Sequence, residues 1–162
     1  MSSYQYLPMT GEYASLIASW KYEGQYSFYN LDGSPECLSE LMNGDYYSVL
    51  DEHEELVGFI CTGHSARVPG GYSINIYNRG CLDLGLGLKP QWTGKGRGVH
   101  FLTSSLCFVR ERFGPFGIQL VVAKFNERAI KVYERVGFKR GQSFISPVGH
   151  EDVEFIVMHY SM

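Results

Sequence analysis

The sequence has little with which to build a disulfide framework or a metal centre. Its four cysteines, Cys37, Cys61, Cys81 and Cys107, are widely spaced, with no CxxC pair and no histidine at ligand spacing. Reduced thiols and no metal are expected. There is no apolar run of the roughly 18 residues that a membrane-spanning helix needs, and the opening MSSYQYLPMTGEY has neither a basic start nor an apolar stretch of signal length. A cytoplasmic protein with no membrane partner is the expectation. Net charge is only −3, which argues against a general nucleic-acid partner. With 44% hydrophobic and 19% charged residues, disorder, collagen and coiled coil are excluded. A chain of 162 residues suits one domain, residues 1–162, around one core.

The small net charge hides an asymmetry. Between Lys89 and Arg140 there are 11 basic and 3 acidic residues, leaving 3 basic and 14 acidic in the remainder. The late segment therefore carries a field that suits an anion, and the rest suits a cation, beyond what solvated helix faces require.

Periodicity places the elements. Gly11 to Trp20 predicts a helix with Tyr13, Leu16, Ile17 and Trp20 on its inner face. Ser34 and Pro35 form an N-cap and first turn for a second helix that turns Leu38 and Leu41 inward and stops at Asn43 and Gly44. Tyr46–Leu50 and Glu55–Cys61 read as a hairpin across the polar turn of residues 51–54, and Ser65 to Gly80 as a turn-rich loop broken by Pro69, Gly70 and Gly71. In CLDLGLGL the leucines 82, 84, 86 and 88 alternate with Cys81, Asp83, Gly85 and Gly87, a strand with one nearly bare face that something must approach closely. Val99, Leu102, Leu106, Val109 and Phe113 then mark a helix ended by Gly114 and Pro115. Ile118 to Ala123 is a strand, Asn126 caps a helix running to Val136, and Gly137 stops it. Strands near Ser143–Ile145 and at Val153–Tyr160 close the sheet, the last an edge on which a second copy can pair, so the chain is expected as a monomer or homodimer. Strand, helix, strand at this spacing implies a parallel pair within a mixed sheet, an α+β fold.

Between that glycine-bearing strand and the next helix lies QWTGKGRG, Gln91 to Gly98. A helix start offers unpaired N–H groups and the positive end of a dipole, and glycines let a pyrophosphate approach the backbone. A Walker loop is excluded because Gly96, not Ser or Thr, follows Lys95, and a dinucleotide fingerprint because GKGRG lacks the GxGxxG spacing and no acid follows near Gln119. A glycine turn with no ligand stays open on spacing alone.

Gln91, Gly94 and Gly96 reproduce the Q/R-x-x-G-x-G/A signature of the GNAT family of acetyl-CoA-dependent N-acetyltransferases, and NERAIKVYERVGFKRG resembles that family's second motif through Asn126, Tyr133, Gly137 and Phe138. The resemblance covers residues 81–141. It implies the family's fold: a central, mixed, mostly antiparallel twisted sheet with a splayed parallel pair and helices on both faces. It also implies acetyl-CoA as acyl donor and an amine as acceptor. Backbone groups at Leu86, Gly87 and Leu88 would pair with the pantetheine arm, those of Thr93, Gly94, Lys95, Gly96, Arg97 and Gly98 would hold the pyrophosphate, Asn126 would bond the pantetheine, and Tyr133 would sit by the thioester sulfur.

Acyl transfer to an amine needs a neutral amine, a stabilised oxyanion and a proton for the departing thiolate. A phenol, with a reference pKa of about 10, can protonate a thiolate of about 8.5, which suits Tyr133; by burial alone it is also a core tyrosine beside Ala129 and Ile130. The oxyanion donor is expected from the backbone N–H of Leu86 or Leu88. Asp83, the acid of its strand, is the candidate base, directly or through water, against the plainer reading of a solvent-facing strand acid; Gln119 and Val121 stand where some family members have a glutamate. Cysteine catalysis is not supported, since nothing places His64 or His100 beside Cys81 or Cys107. Trp20, Tyr22, Tyr26, Phe28 and Tyr29 either pack a core or flank a cationic amine, which the acidic surplus also favours. A non-enzymatic acyl-CoA sensor and a protein N-terminal or lysine acetyltransferase are the alternative functions.

Overall fold

A computed structural model of the chain describes residues 4–78, 80–114 and 117–161. Pro115 of the expected helix stop lies outside these residues. The chain forms two compact units, one from the residues through Cys61 with Leu86–Arg97, the other from Thr62–Gly85 with Gly98 onward.

The first unit contains β1 (Gln5–Pro8), α1 (Gly11–Ala18), α2 (Pro35–Leu41), β2 (Tyr46–Leu50) and β3 (Leu56–Thr62), with β1, β2 and β3 antiparallel in that order. Thr10 caps α1 by accepting from the Tyr13 N–H at 3.2 Å. The buried face of α1 is Ala14, Ile17 and Ala18, whereas Leu16, expected inward, is 47% exposed. A search for large apolar residues overlooks alanines, and two of the three buried residues here are alanines. Trp20 lies beyond the helix end but packs against the same cluster of Ala14, Ile17 and Leu41. Ser34 caps α2 through the Cys37 N–H at 3.1 Å, as its sequence predicts. The hairpin turn is folded by Asp51, whose Oδ1 accepts from the N–H groups of His53 (2.8 Å) and Glu55 (3.0 Å). β1 was not expected: four residues ending in proline carry no strand signal of their own, and it exists through its ladder with β2.

β4 (Leu82–Leu88) is one continuous strand whose first half belongs to the second unit and whose last three residues belong to the first. The second unit continues with α4 (Gly98–Phe113), β5 (Gly117–Ala123), α5 (Glu127–Val136), β6 (Lys139–Val148) and β7 (Glu151–Ser161), preceded by α3 (Gly70–Ser73) inside the stretch expected as loop. Gly70 and Gly71 do not break structure there. They allow contact, because a Cβ on Gly70 would overlap the Ile145 carbonyl oxygen and one on Gly71 would lie 2.6 Å from the Tyr77 ring. β4 and β5 are parallel with Leu82 opposite Ile118 and Asp83 opposite Gln119, and the ladder ends there although both strands continue. β7 is antiparallel to both β5 and β6. The final strand is therefore not an edge: a β7 bonded on both sides has no free ladder to offer a second copy, and β6 takes the outer place. Of the residues expected inward on α4, Leu102, Leu106 and Val109 are buried, Val99 is half-buried and Phe113 is left 42% exposed, while Phe101, which the period did not pick out, is buried as well. Gly137 stops α5 at φ 125°, its N–H on the Tyr133 carbonyl at 3.1 Å.

The expected class, an α+β fold whose mostly antiparallel strands include one parallel pair that parts early, is the class found. Among the described residues no helix is long and apolar enough to cross a membrane.

Candidate active site

In the first unit the second half of β4 is held from three directions. A Cβ on Gly87 would overlap the Phe59 ring, so the bare face of the strand is occupied by an aromatic of β3. The Lys89 N–H donates to the Val57 carbonyl at 2.8 Å, and the Tyr22 hydroxyl donates to the Leu88 carbonyl at 2.7 Å. Phe59 is backed by Trp20 at 6.3 Å and Tyr46 at 6.0 Å between ring centroids. Of the aromatics that the sequence groups together, Tyr22 is thus committed to the strand and Trp20 to the ring that covers it.

The glycine turn follows at once. Pro90–Trp92 makes one 3-10 turn, tied by the Thr93 hydroxyl donating to the Pro90 carbonyl at 2.7 Å. Gly94 and Gly96 both take positive φ, 71° and 76°, a conformation that side chains resist, and the space above Gly96 is open. Residues 94–97 are exposed. The Arg97 guanidinium lies 4.1 Å and the Lys89 ammonium 5.5 Å from the Trp92 ring centre, so two cations gather beside the turn. An open turn of this kind, with two cations beside it, fits an anion such as a pyrophosphate. A Cβ on Gly98 would stand 3.1 Å from Val132 of α5, so this glycine also permits close packing of two helices.

In the second unit Asp83 is only 3% exposed. Its Oδ2 accepts from Arg67 Nε at 2.7 Å and its Oδ1 from Gln119 Nε2 at 2.7 Å. Gln119 Nε2 also donates to the Ile76 carbonyl at 2.9 Å, and since both partners are acceptors the amide can point only one way, leaving its buried Oε1 without a partner among the described residues. The Arg67 guanidinium lies over the Tyr77 ring at 4.9 Å, and Tyr77 in turn accepts the Val68 N–H at 2.9 Å. The strand acid thus faces inward, toward the connection before β4. Sequence reasoning missed Arg67 and Gln119, which lie 16 and 36 positions away. The available signal was the pairing of an acid and an amide on parallel strands, legible only once the register is known.

Tyr133 is 9% exposed on α5, with the Phe138 ring at 5.9 Å. Asn126 caps the same helix, its Oδ1 accepting from the Ala129 N–H at 3.1 Å. The structure thus brings Asp83 together with Arg67 and Gln119, Lys89 and Arg97 with Trp92, and Tyr133 with Asn126 on one helix.

A parallel pair separates after two positions, with a glycine turn after its first strand and a capped helix after its second. The model of the acetyltransferase (GNAT) family matches residues 12–138, and the chain belongs to that family. It is similar to mycothiol acetyltransferase of Salinispora arenicola, 34% identical over 61 residues that make up 38% of this chain and 20% of that protein. A mycothiol acetyltransferase of Propionibacterium freudenreichii is 36% identical over 72 residues, 41% of this chain and 23% of that one. The chain therefore matches about a fifth of the length of these curated relatives. In fold it resembles spermidine N-acetyltransferase from Vibrio cholerae, solved in complex with CoA and spermine, with a TM-score of 0.70 at 16% identity over 99% of this chain and 95% of that one. A GNAT-family acetyltransferase from Bacillus anthracis gives 0.70 at 13% identity over 98% and 95%.

Proposed function

We propose that this chain, as a single N-acetyltransferase domain over residues 1–162, moves the acetyl group of acetyl-CoA to a primary amine by direct transfer in a ternary complex. One observation carries the reading: Gly94 and Gly96 hold positive φ in an open turn that leads into a 16-residue helix, within a chain matched by the GNAT family. Acetyl-CoA supplies an acetyl group already activated as a thioester. The backbone from Thr93 through Gly98 holds its pyrophosphate, with Lys95 and Arg97 adding charge. The backbone of Leu86, Gly87 and Leu88 holds the pantetheine arm, with Asn126 as a second contact, and an N–H of Leu86 or Leu88 receives the developing oxyanion. Tyr133 gives a proton to the departing thiolate. Asp83, with both oxygens already accepting hydrogen bonds, keeps Arg67 and Gln119 in place, and the amine's proton leaves through water.

The acceptor is a cationic amine. The surplus of acidic residues outside Lys89–Arg140 supports this, as does the likeness in fold to an acetyltransferase solved with spermine. Calorimetry with acetyl-CoA tests the cofactor, and a panel of amines tests the acceptor. Gly96→Asp places a side chain and a negative charge in the open turn, and is expected to weaken binding more than about tenfold. Undiminished binding by this variant removes the turn from the site. Turnover restricted to neutral or acidic amines removes the cationic acceptor.

A further inference from the structure

The segment between α1 and α2 is closed on itself and tied to β4 through Tyr22. The Tyr22 backbone N–H donates to Asn30 Oδ1 at 2.7 Å, and Lys21 Nζ donates to the Leu31 carbonyl at 3.1 Å, so the ends of the segment are cross-linked around the 3-10 stretch Gly24–Tyr29. From this closed loop the Tyr22 hydroxyl reaches across 66 positions to the Leu88 carbonyl. Leu88 ends β4, and the glycine turn begins just beyond it. Tyr22 is half-buried, and burial pushes its phenol up to about 12, so it remains a donor at any working pH.

We infer that Tyr22 is a positioning residue: its hydroxyl fixes the Leu88 peptide of the cofactor-binding strand and couples that strand to the aromatic loop of residues 20–31. The inference rests on the acetyl-CoA reading above. The hydroxyl touches no reacting atom. Its part is to hold the peptide against which the pantetheine arm is laid. Because coupling is reciprocal, a ligand that steadies the strand also steadies the loop, and an acceptor that orders the loop improves the strand.

Tyr22→Phe removes the hydroxyl and keeps the ring. The measurement is amide hydrogen exchange with and without acetyl-CoA, alongside calorimetry and steady-state kinetics. In the wild type acetyl-CoA should slow exchange across residues 20–31. In Tyr22→Phe that protection should be lost, acetyl-CoA should bind about fivefold more weakly, and KM for acetyl-CoA should rise more than kcat falls. Asn30→Ala, which frees the Tyr22 backbone without touching β4, should move all three readouts the same way. Equal protection of the loop in wild type and Tyr22→Phe overturns the inference, as does a wild type that binds acetyl-CoA without protecting the loop. A wild type that binds no acetyl-CoA overturns the proposed function and this inference with it.

Discussion

The two halves of β4 carry the same leucine face and opposite solutions on the other. In the first half the alternate position is Asp83, a buried carboxylate with a guanidinium on one oxygen and an amide on the other. In the second half it is Gly87, with no side chain, whose place is taken by the Phe59 ring while Tyr22 holds the following carbonyl. The first half is fastened by charge and the second by shape. A charge-fastened strand is specific but costly, since a buried ion pair stabilises only when the remaining polar atoms are also satisfied. Here the orphan Oε1 of Gln119 carries a residual cost of about 1–3 kcal/mol.

The strongest way to break the comparison is to remove the charge. The Asp83 side chain is 4% exposed and that of Arg67 20%. Arg67→Met therefore strands a carboxylate that water hardly reaches, and should cost about 3–5 kcal/mol in a urea titration. Asp83→Ala leaves a guanidinium that is a fifth exposed and already stacked on Tyr77, so its cost should be smaller, about 2–3 kcal/mol. The order matters more than either figure. Equal losses, or a neutral Arg67→Met, would mean that the first half is held by packing and not by the ion pair.

Shape is tested at Gly87. Its backbone φ is not among the positive ones, so alanine is tolerated locally and any loss comes from the Phe59 ring. Gly87→Ala should cost about 1–3 kcal/mol by overpacking, and Phe59→Leu in the same chain should recover part of it, a coupling that a double-mutant cycle reads directly. If Gly87→Ala is silent, Phe59 yields freely and the bareness of the strand has another purpose.

This contrast also marks what was legible from sequence. α4 and α5 were readable because Gly98, Asn126 and Gly137 punctuate strong 3.6-residue periods, and the glycine turn was readable because its residues are contiguous. That something approaches β4 closely was legible in the leucine–glycine alternation; that the neighbour is Phe59, some 28 positions back, was not. Asp83 shows the same limit: read as a candidate base or as a solvent-facing acid, it is a buried carboxylate bonded to Arg67 and Gln119, partners legible only once β5 is known to lie parallel and to set Gln119 opposite it. α1 misled because its inner face is built on Ala14 and Ala18, and β7 because a strand at the end of a sequence suggests the end of a sheet. Apart from α1, whose small inner residues hid its face, local chemistry was written locally and what the sequence did not show is a partner supplied by topology.

The smallest expected effect tests whether the tyrosine at the end of the shape-fastened half is as enclosed as its geometry requires. Burial raises the Tyr22 phenol from its ordinary value of 10.0 to about 12. Below pH 10 both folded and unfolded chains hold the proton, and the stabilisation is fully present. As pH rises from about 10 toward about 12 the unfolded chain releases it while the folded chain does not, so stability falls with pH and the contribution is gone once the folded phenol also ionises. Because the ring is partly open to solvent, the loss at pH 11 should be about 1 kcal/mol. Other tyrosines and lysines titrate in the same range, so the quantity to follow is the difference between wild type and Tyr22→Phe in urea at pH 8 and pH 11. The wild type should lead at pH 8 by the worth of one hydrogen bond, and the lead should shrink or vanish at pH 11. A constant lead would mean that the hydroxyl meets water, in which case Leu88 is open to other donors and the second half of β4 is held by Phe59 alone.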